Sequence, residues 1–255
     1  MKYIMLMYGT EGLWTDQERK ECMTECLSVC DRLAAQGKFI ATSPLQSVTT
    51  AATVRVRDGR ALITEGPFAE TKEQLGGFFL LELADLDEAI AVAGKLPPVT
   101  KGTAEIRPLF ELEGLPPLRP IPVGFSNSNV KPYMLLSYTD DAALREVELE
   151  SVKHAITDAI ALARSLNDDG RYIGASPLHP ASTATCVRVR NGKRQITDGP
   201  FAETNEVLGG FYLVLAGSRE EAQQIAAQVS CARRGSVEVR PLFDMAGVRE
   251  LSTVS

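Results

Sequence analysis

An α+β fold of two ferredoxin-like repeats, packed sheet to sheet within one chain, is predicted by three observations. First, the stretch Ile196–Phe211, which opens Ile-Thr-Asp-Gly-Pro-Phe-Ala-Glu-Thr, restates Ile63–Phe78, which opens Ile-Thr-Glu-Gly-Pro-Phe-Ala-Glu-Thr. The correspondence keeps one constant offset, without a gap, from Ser43–Phe110 to Ser176–Phe243, which marks a duplicated domain. Second, each copy reads strand, helix, strand, hairpin, strand, helix, strand, a ferredoxin-like unit with an added hairpin. Third, the first strand of each copy, Tyr3–Tyr8 and Tyr133–Tyr138, is apolar on both faces. The helices cover one sheet face; the other face needs a partner, and the second copy supplies it.

In the first repeat, Thr15 and Glu18 form a capping-box signature that starts a helix. Cys22, Met23, Cys26, Leu27, Cys30 and Leu33 recur at helical spacing, and Gly37 stops it. Phe39–Leu45 is the second strand. Thr53–Arg57 and Ala61–Thr64 flank Asp58-Gly59, a strong hairpin turn. Gly77–Leu83 follows, then a helix capped by Asp85 and Glu88 that runs to about residue 95, then the strand Ala104–Phe110. The second repeat follows the same plan. Its first helix buries Leu149, Val152, Ile156, Ala163 and Leu166 and stops at Gly170. Asn191-Gly192 turns its hairpin, Ser218 and Glu221 cap its second helix, and Ser236–Phe243 is its last strand.

These elements set domain boundaries of 1–114 and 131–247, with a linker at 115–130 and a tail at 248–255. Pro116, Pro117, Pro120 and Pro122 stiffen the first part of the linker, and Ser126-Asn-Ser-Asn129 loosens the second.

The chain has 255 residues, 44% of them apolar and 24% charged, which is ordinary for a globular protein. A net charge of −6 argues against a general nucleic-acid surface. No apolar run approaches the roughly 20 residues that span a bilayer. The chain opens on a strand-like run without a signal-peptide pattern, so a cytoplasmic setting is expected. The five cysteines suit reduced thiols there. Cys22, Cys26 and Cys30 fall on one helix stripe, with the outer two about 12 Å apart along the axis. That is too far for one tetrahedral zinc, so small apolar packing is the expected role and no metal is implied.

Asp198 and Glu65 each stand where a strand meets a Gly-Pro turn. Pro200 stiffens that loop, which suits a general acid or base; the alternative is a carboxylate that accepts from the turn's own amides. Arg188 and Arg190, like Arg55 and Arg57, share one strand face. Together with Arg107 and Arg240 they could clamp a carboxylate or phosphate, or form ordinary ion pairs. Arg240 shares strand parity with Glu238, which favours an internal pair as much as a ligand contact. Tyr8 and Tyr138 end the first strands and can reach a cleft with their hydroxyls or pack in the core. Ser176 opens the Ser-Pro-Leu segment that leads to His179, a loop histidine near the candidate site; its counterpart is Gln46. Glu203 and Thr204 follow the turn and read as binding or capping groups. The glycine pairs form no dinucleotide or Walker pattern. Differences between the copies, Glu65 for Asp198 and Gln46 for His179, favour the second copy as the working site.

Asp198-Gly-Pro-Phe-Ala-Glu-Thr204, with the Val-Arg-Val-Arg strand before it and Gly209-Gly210-Phe211 and Val237-Glu-Val-Arg-Pro241 after it, resembles the DGPF-type branch of the YCII-related family. The resemblance covers nearly the whole chain as two tandem copies. It implies a dimeric α/β-barrel made by one polypeptide. It also implies a small-molecule enzyme of the lyase or isomerase kind; with Asp198 as acid or base and the arginines orienting a small anionic organic substrate, proton transfer without a cofactor is the expected chemistry. The alternative it implies is a non-catalytic binding or regulatory module linked to an extracytoplasmic-function sigma factor. A further homodimer is compatible with either. Some related enzymes use a first-helix histidine paired with an aspartate; Cys26 and Ala159 stand at those positions here, so that dyad is absent.

Overall fold

The structure, a computed structural model, describes residues 1–69, 71–140, 149–201 and 206–252. The first repeat contains β1 (Lys2–Gly9), α1 (Asp16–Ala35), β2 (Phe39–Pro44), β3 (Ala52–Arg57), β4 (Arg60–Glu65), β5 (Gln74–Glu82), α2 (Leu86–Ala93) and β6 (Thr103–Pro108). The second contains β7 (Lys131–Asp140), α3 (Leu149–Asp168), β8 (Tyr172–Pro177), β9 (Thr185–Arg190), β10 (Lys193–Asp198), β11 (Glu206–Ala216), α4 (Arg219–Gln228) and β12 (Ser236–Pro241), followed by α5 (Ala246–Ser252).

The caps form as the sequence dictates. Glu18 N–H donates to Thr15 Oγ1 at 3.2 Å while Thr15 N–H donates to Glu18 Oε2 at 2.9 Å, so two N-terminal amides of α1 find acceptors. Asp85 and Ser218 cap α2 and α4 by accepting from the Glu88 and Glu221 amides, while the two glutamates accept from the Ala84 and Gly217 amides one residue before the caps. Gly37, at φ 69°, turns the chain out of α1. Both hairpins turn through left-handed pairs, Asp58-Gly59 at φ 50° and 72° and Asn191-Gly192 at φ 52° and 71°, which match the twist of the flanking strands.

Two six-stranded antiparallel sheets result, in the orders β10-β9-β6-β1-β5-β2 and β4-β3-β12-β7-β11-β8. Each sheet therefore borrows its outer hairpin from the other repeat. β9 joins β6 through Ala104↔Val187, Glu105↔Cys186 and Ile106↔Thr185, and β3 joins β12 through Val54↔Val237, Thr53↔Glu238 and Ala52↔Val239. The sequence places a hairpin in each repeat but does not reveal this exchange. Alternation and turn residues specify a hairpin, whereas the strand that receives it is set by tertiary pairing.

The sheets pack face to face as an intrachain dimeric α/β-barrel. Ile4, Leu6, Phe78 and Leu80 of one sheet meet Met134, Leu136, Phe211 and Leu213 of the other. The alternate residues of the same strands point outward. Met5, Phe79 and Leu81 pack under α1 and α2, while Leu135, Tyr212 and Val214 pack with residues of α3 and α4. That two-sided burial is why β1 and β7 are apolar throughout. Bridges between Leu45 and Leu242 and between Leu109 and Leu178 join the two sheets.

The repeats also exchange their trailing segments. The linker crosses the edge strand β8, where Arg119 N–H donates to Ile173 O at 2.7 Å, and buries Phe125 in the barrel core. At its far end, Asp244 accepts from the Gly124 and Ser126 amides. Val248, on α5, and the preceding Met245 pack against Leu27 of α1. Close approach fixes two glycines: a Cβ at Gly102 would collide with Tyr8 O, and one at Gly235 with Tyr138 O.

Candidate functional site

Two concave regions draw functional groups together. The first is a cleft on the pseudo-twofold axis, lined by matching residues of both repeats: Tyr8 and Tyr138, Glu105 and Glu238, Phe68 and Phe201. The exchanged hairpins deliver the two phenylalanines. Phe201, of the Asp-Gly-Pro-Phe motif, stacks on Tyr8 with ring centroids 4.4 Å apart, and Phe68 stacks on Tyr138 at the same separation. The Phe201 amide donates to Glu105 Oε2 at 2.8 Å and the Phe68 amide to Glu238 Oε2 at 2.9 Å.

Each glutamate holds an arginine with its other oxygen. Arg107 Nη1 lies 3.2 Å from Glu105 Oε1, and Arg240 Nη1 lies 3.1 Å from Glu238 Oε1. All four side chains are buried. Arg107 Nη2 also donates to the carbonyls of His179 and Leu208, and Arg240 Nη2 to that of Gln46. Burial, followed by the Glu105 carboxylate and Tyr138, pushes the Tyr8 hydroxyl well above its usual range. Burial and Glu238 do the same to Tyr138. Both phenols therefore stay protonated at neutral pH. The cavity volume of the cleft is about 60 Å³, room for a few waters.

The second region is a cavity of about 360 Å³ between α1 and the first sheet. Met7 and Phe79 line its sheet side, and Cys22, Cys26, Leu27 and Cys30 its helix side. The segment from Thr10 to Trp14 runs along its rim. That segment is pinned at both ends. Glu11 accepts from the Val48 amide at 2.8 Å and the Ser47 hydroxyl at 2.9 Å. Lys101 sits 4.4 Å from the Trp14 ring centre and donates to Glu18 Oε1 at 2.8 Å. The hydrogen bond from Lys101, with that from the Thr15 amide, holds the Glu18 carboxyl down at about 2.

The residues expected to carry chemistry are dispersed. Tyr8, Tyr138 and Arg107 meet at the cleft, with Arg240 bonded to Glu238 in its wall. Asp198 is exposed at the end of β10, and Glu65 is exposed at the end of β4, where it pairs with Arg219 at 2.5 Å. The backbone carbonyl of His179 receives Arg107, and its ring packs at 5.4 Å from that of Phe110. Ser176 donates to Pro177 O and Phe110 O.

Arg190 lies on the carbonyls of Val99, Thr100 and Gly102, and Arg57 on those of Ala232, Arg233 and Gly235. Both thus tie a borrowed hairpin to a turn of the host repeat. Arg188 Nε donates to Thr103 Oγ1 at 2.7 Å, with its guanidinium 5.8 Å from the Phe201 ring centre. Arg55 is half-buried on β3. Glu203 and Thr204 lie outside the described residues. Among the described residues, no cluster of three or more histidine, cysteine or carboxylate groups could hold a metal ion.

Sequence reasoning passed over Glu105, Phe68 and Phe201. A signal for them exists: Glu-x-Arg-Pro ends β6 and β12 alike, which puts Glu and Arg on one face, and the motif phenylalanine recurs in both copies. The cavity beneath α1 has no such signature, because apolar stripes look alike whether or not a void faces them.

A family model of the YCII-related domain matches residues 1–113 and 132–246. An uncharacterised protein of Rhizobium meliloti (strain 1021) is 38% identical over 114 residues, which is 43% of this chain and 92% of that protein. The crystal structure of a "Putative Chlorite dismutase" aligns over 98% of both chains, at 10% identity and a TM-score of 0.48. The repeated motif, the paired sheets and the two family matches agree: the chain belongs to the YCII-related family, as two tandem copies of its domain.

Proposed function

We propose that the protein binds a small, mostly apolar molecule with one polar end in the cavity beneath α1, as a binding module rather than a proton-transfer enzyme. The observation that carries this reading is the cavity itself. Its volume of about 360 Å³ lies in the range of small-molecule sites, with Met7, Leu27 and Phe79 offering apolar surface and Glu11, Asp16 and Arg19 standing at its edge.

The lyase or isomerase alternative has less support. Acid–base chemistry needs a titrating group that faces room for a substrate. At the cleft both glutamates hold an arginine and a backbone amide, both tyrosines stay protonated, and about 60 Å³ is free. The barrel interior is filled with apolar side chains. Arg57, Arg107, Arg190 and Arg240, which could have clamped an anion, are engaged with carbonyls and carboxylates.

The test uses Trp14, the chain's single tryptophan, which stands at the cavity rim. A panel of small ketones, alcohols and acids, cyclohexanone among them, is titrated while Trp14 emission and thermal stability are followed. A ligand at about a hundred times its Kd adds about 2.7 kcal/mol, which raises Tm by about 5–10 °C for a chain of this size. A saturable emission change together with a raised Tm is the expected result. No saturable change in either across the panel overturns the reading.

A further inference from the structure

We propose that the cleft on the pseudo-twofold axis is a second binding site, for a small primary ammonium such as ammonium itself or methylammonium, held by the hydroxyls of Tyr8 and Tyr138 and the carboxylates of Glu105 and Glu238. The site is distinct from the cavity beneath α1 and does not depend on what that cavity binds.

The first observation is a pair of phenols without partners. Three other tyrosines place their hydroxyls on groups of the chain: Tyr3 on Met1 Sδ at 3.6 Å, Tyr172 on Pro116 O at 3.1 Å and Tyr212 on Ala159 O at 3.4 Å. The hydroxyls of Tyr8 and Tyr138 reach no partner among the described residues, although both rings are fixed by stacking and both line the cleft. A phenol largely withdrawn from water ordinarily finds a partner. Two such groups, at equivalent positions on one axis, take theirs from whatever enters the cleft.

The second observation sets the sign of the charge. Glu105 and Glu238 line the cleft and each oxygen accepts one hydrogen bond from the chain, from an arginine on one side and a motif amide on the other. A carboxylate oxygen has two lone pairs, so each can accept again. The arginines offer less. Arg107 and Arg240 spend their terminal nitrogens on carboxylates and carbonyls. Their Nε atoms are sealed from solvent, so an anion in the cleft cannot reach them. After burial, the nearer glutamate is the strongest influence on each phenol, and it outweighs the arginine it holds. The groups that face the cleft are therefore rich in acceptors and set in a negative field, which suits a cation that donates hydrogen bonds.

Size and symmetry narrow the cation. The free volume is about 60 Å³. An ammonium ion takes the room of one water, and methylammonium little more. A tetrahedral ammonium has twofold axes of its own, so one pair of its N–H groups meets the two phenol oxygens and the other pair the two carboxylates. In methylammonium three N–H groups remain, and the methyl group rests on Leu75 and Leu208, which line the same cleft.

The test uses the full chain labelled with ¹³C at tyrosine Cζ, the carbon that reports hydrogen bonding of the hydroxyl. Methylammonium chloride is titrated at constant ionic strength against sodium chloride. Of the six tyrosine signals, those of Tyr8 and Tyr138, assigned through Tyr8→Phe and Tyr138→Phe, are expected to move together and saturably, with a parallel rise in Tm. Each Phe variant keeps the aromatic stack and should weaken binding about three- to tenfold, the worth of one hydrogen bond. Tyr138→Phe is the sharper variant, because Tyr8 also borders the cavity beneath α1 and Tyr138 does not.

Potassium, similar in size but without N–H groups, should bind more weakly than ammonium, and acetamide, which would accept from both phenols, should leave their signals in place. No saturable shift with methylammonium, unchanged affinity in Tyr138→Phe, equal binding of potassium, or a response to acetamide in place of ammonium overturns the proposal. None of these outcomes bears on the cavity beneath α1.

Discussion

Phe201 lies flat on Tyr8, with 4.4 Å between ring centres and 14° between planes, although one ring belongs to the second repeat's motif and the other to the first repeat's opening strand. The same residue's amide closes on Glu105. The motif phenylalanine thus acts as a latch that holds a borrowed hairpin to its host. Phe201→Ala keeps the amide and removes the ring. A loss of about 2 kcal/mol is expected from lost burial and stacking of a half-buried aromatic. A double-mutant cycle with Tyr8→Ala, followed by urea denaturation, should return a coupling of about 0.5–1.5 kcal/mol. Additive losses would show that the stack contributes nothing of its own.

Glu238 and Arg240 are both buried, and Arg240 Nε has no hydrogen-bond partner among the described residues. Neutralising one member strands the other's charge. Glu238→Gln should therefore cost about 3 kcal/mol, and Glu238→Gln combined with Arg240→Met should recover part of that loss. The midpoint of chemical denaturation checks it; a double variant worse than the sum of the two single ones would contradict the pairing.

Gly102 and Gly235 each sit against the carbonyl at the end of a first strand. Gly102→Ala and Gly235→Ala should each destabilise by about 2 kcal/mol or more, since a backbone carbonyl cannot step aside as a side chain can. Gly9→Ala is the control, because nothing lies within 4 Å of a Cβ there. Thermal melts of the three variants decide the matter.

Glu18 titrates at about 2 rather than the usual 4.5, held down first by Lys101. A lowered carboxyl lends its support fully above the ordinary value and loses it as pH falls through the folded one. The link from Glu18 through Lys101 to Trp14 should persist to acid pH and fail between about 4.5 and about 2. Trp14 emission followed from neutral to acid pH should show that step. Glu18→Gln should remove it.

Much of this architecture is legible in the chain. Thr15 with Glu18, Asp85 with Glu88 and Ser218 with Glu221 mark the helix starts that form, and Asp58-Gly59 and Asn191-Gly192 mark the turns. These signals are local, and local chemistry enforces them. The parity of Glu238 with Arg240 is legible for the same reason. The destination of β9 is not, because Cys186 finds Glu105 across the repeat boundary through packing that no short window contains. Nor is the space in front of Cys22, since an absence of atoms depends on every wall at once.

Separated halves should fail as monomers. Residues 1–130 keep β1 beside β6 but lack β9, the strand on its outer side, and residues 131–255 keep β7 beside β12 but lack β3 on its outer side. Expressed alone, each half should be unfolded or self-associated, with the strands exchanged between identical copies. Mixed, they should return the melt of the intact chain. Size-exclusion chromatography and circular dichroism test this, and a well-folded monomeric half would refute the exchange.

Two copies that have traded hairpins live under a shared fate. Damage to the hairpin of one weakens the sheet of its sibling, so neither can be deleted or replaced from another gene without loss to both. The outer flanks escape that bond, because α1 and α3 lie on the sheets of their own repeats. Innovation can gather on one flank, beneath α1, while the reciprocal framework keeps its twin in attendance.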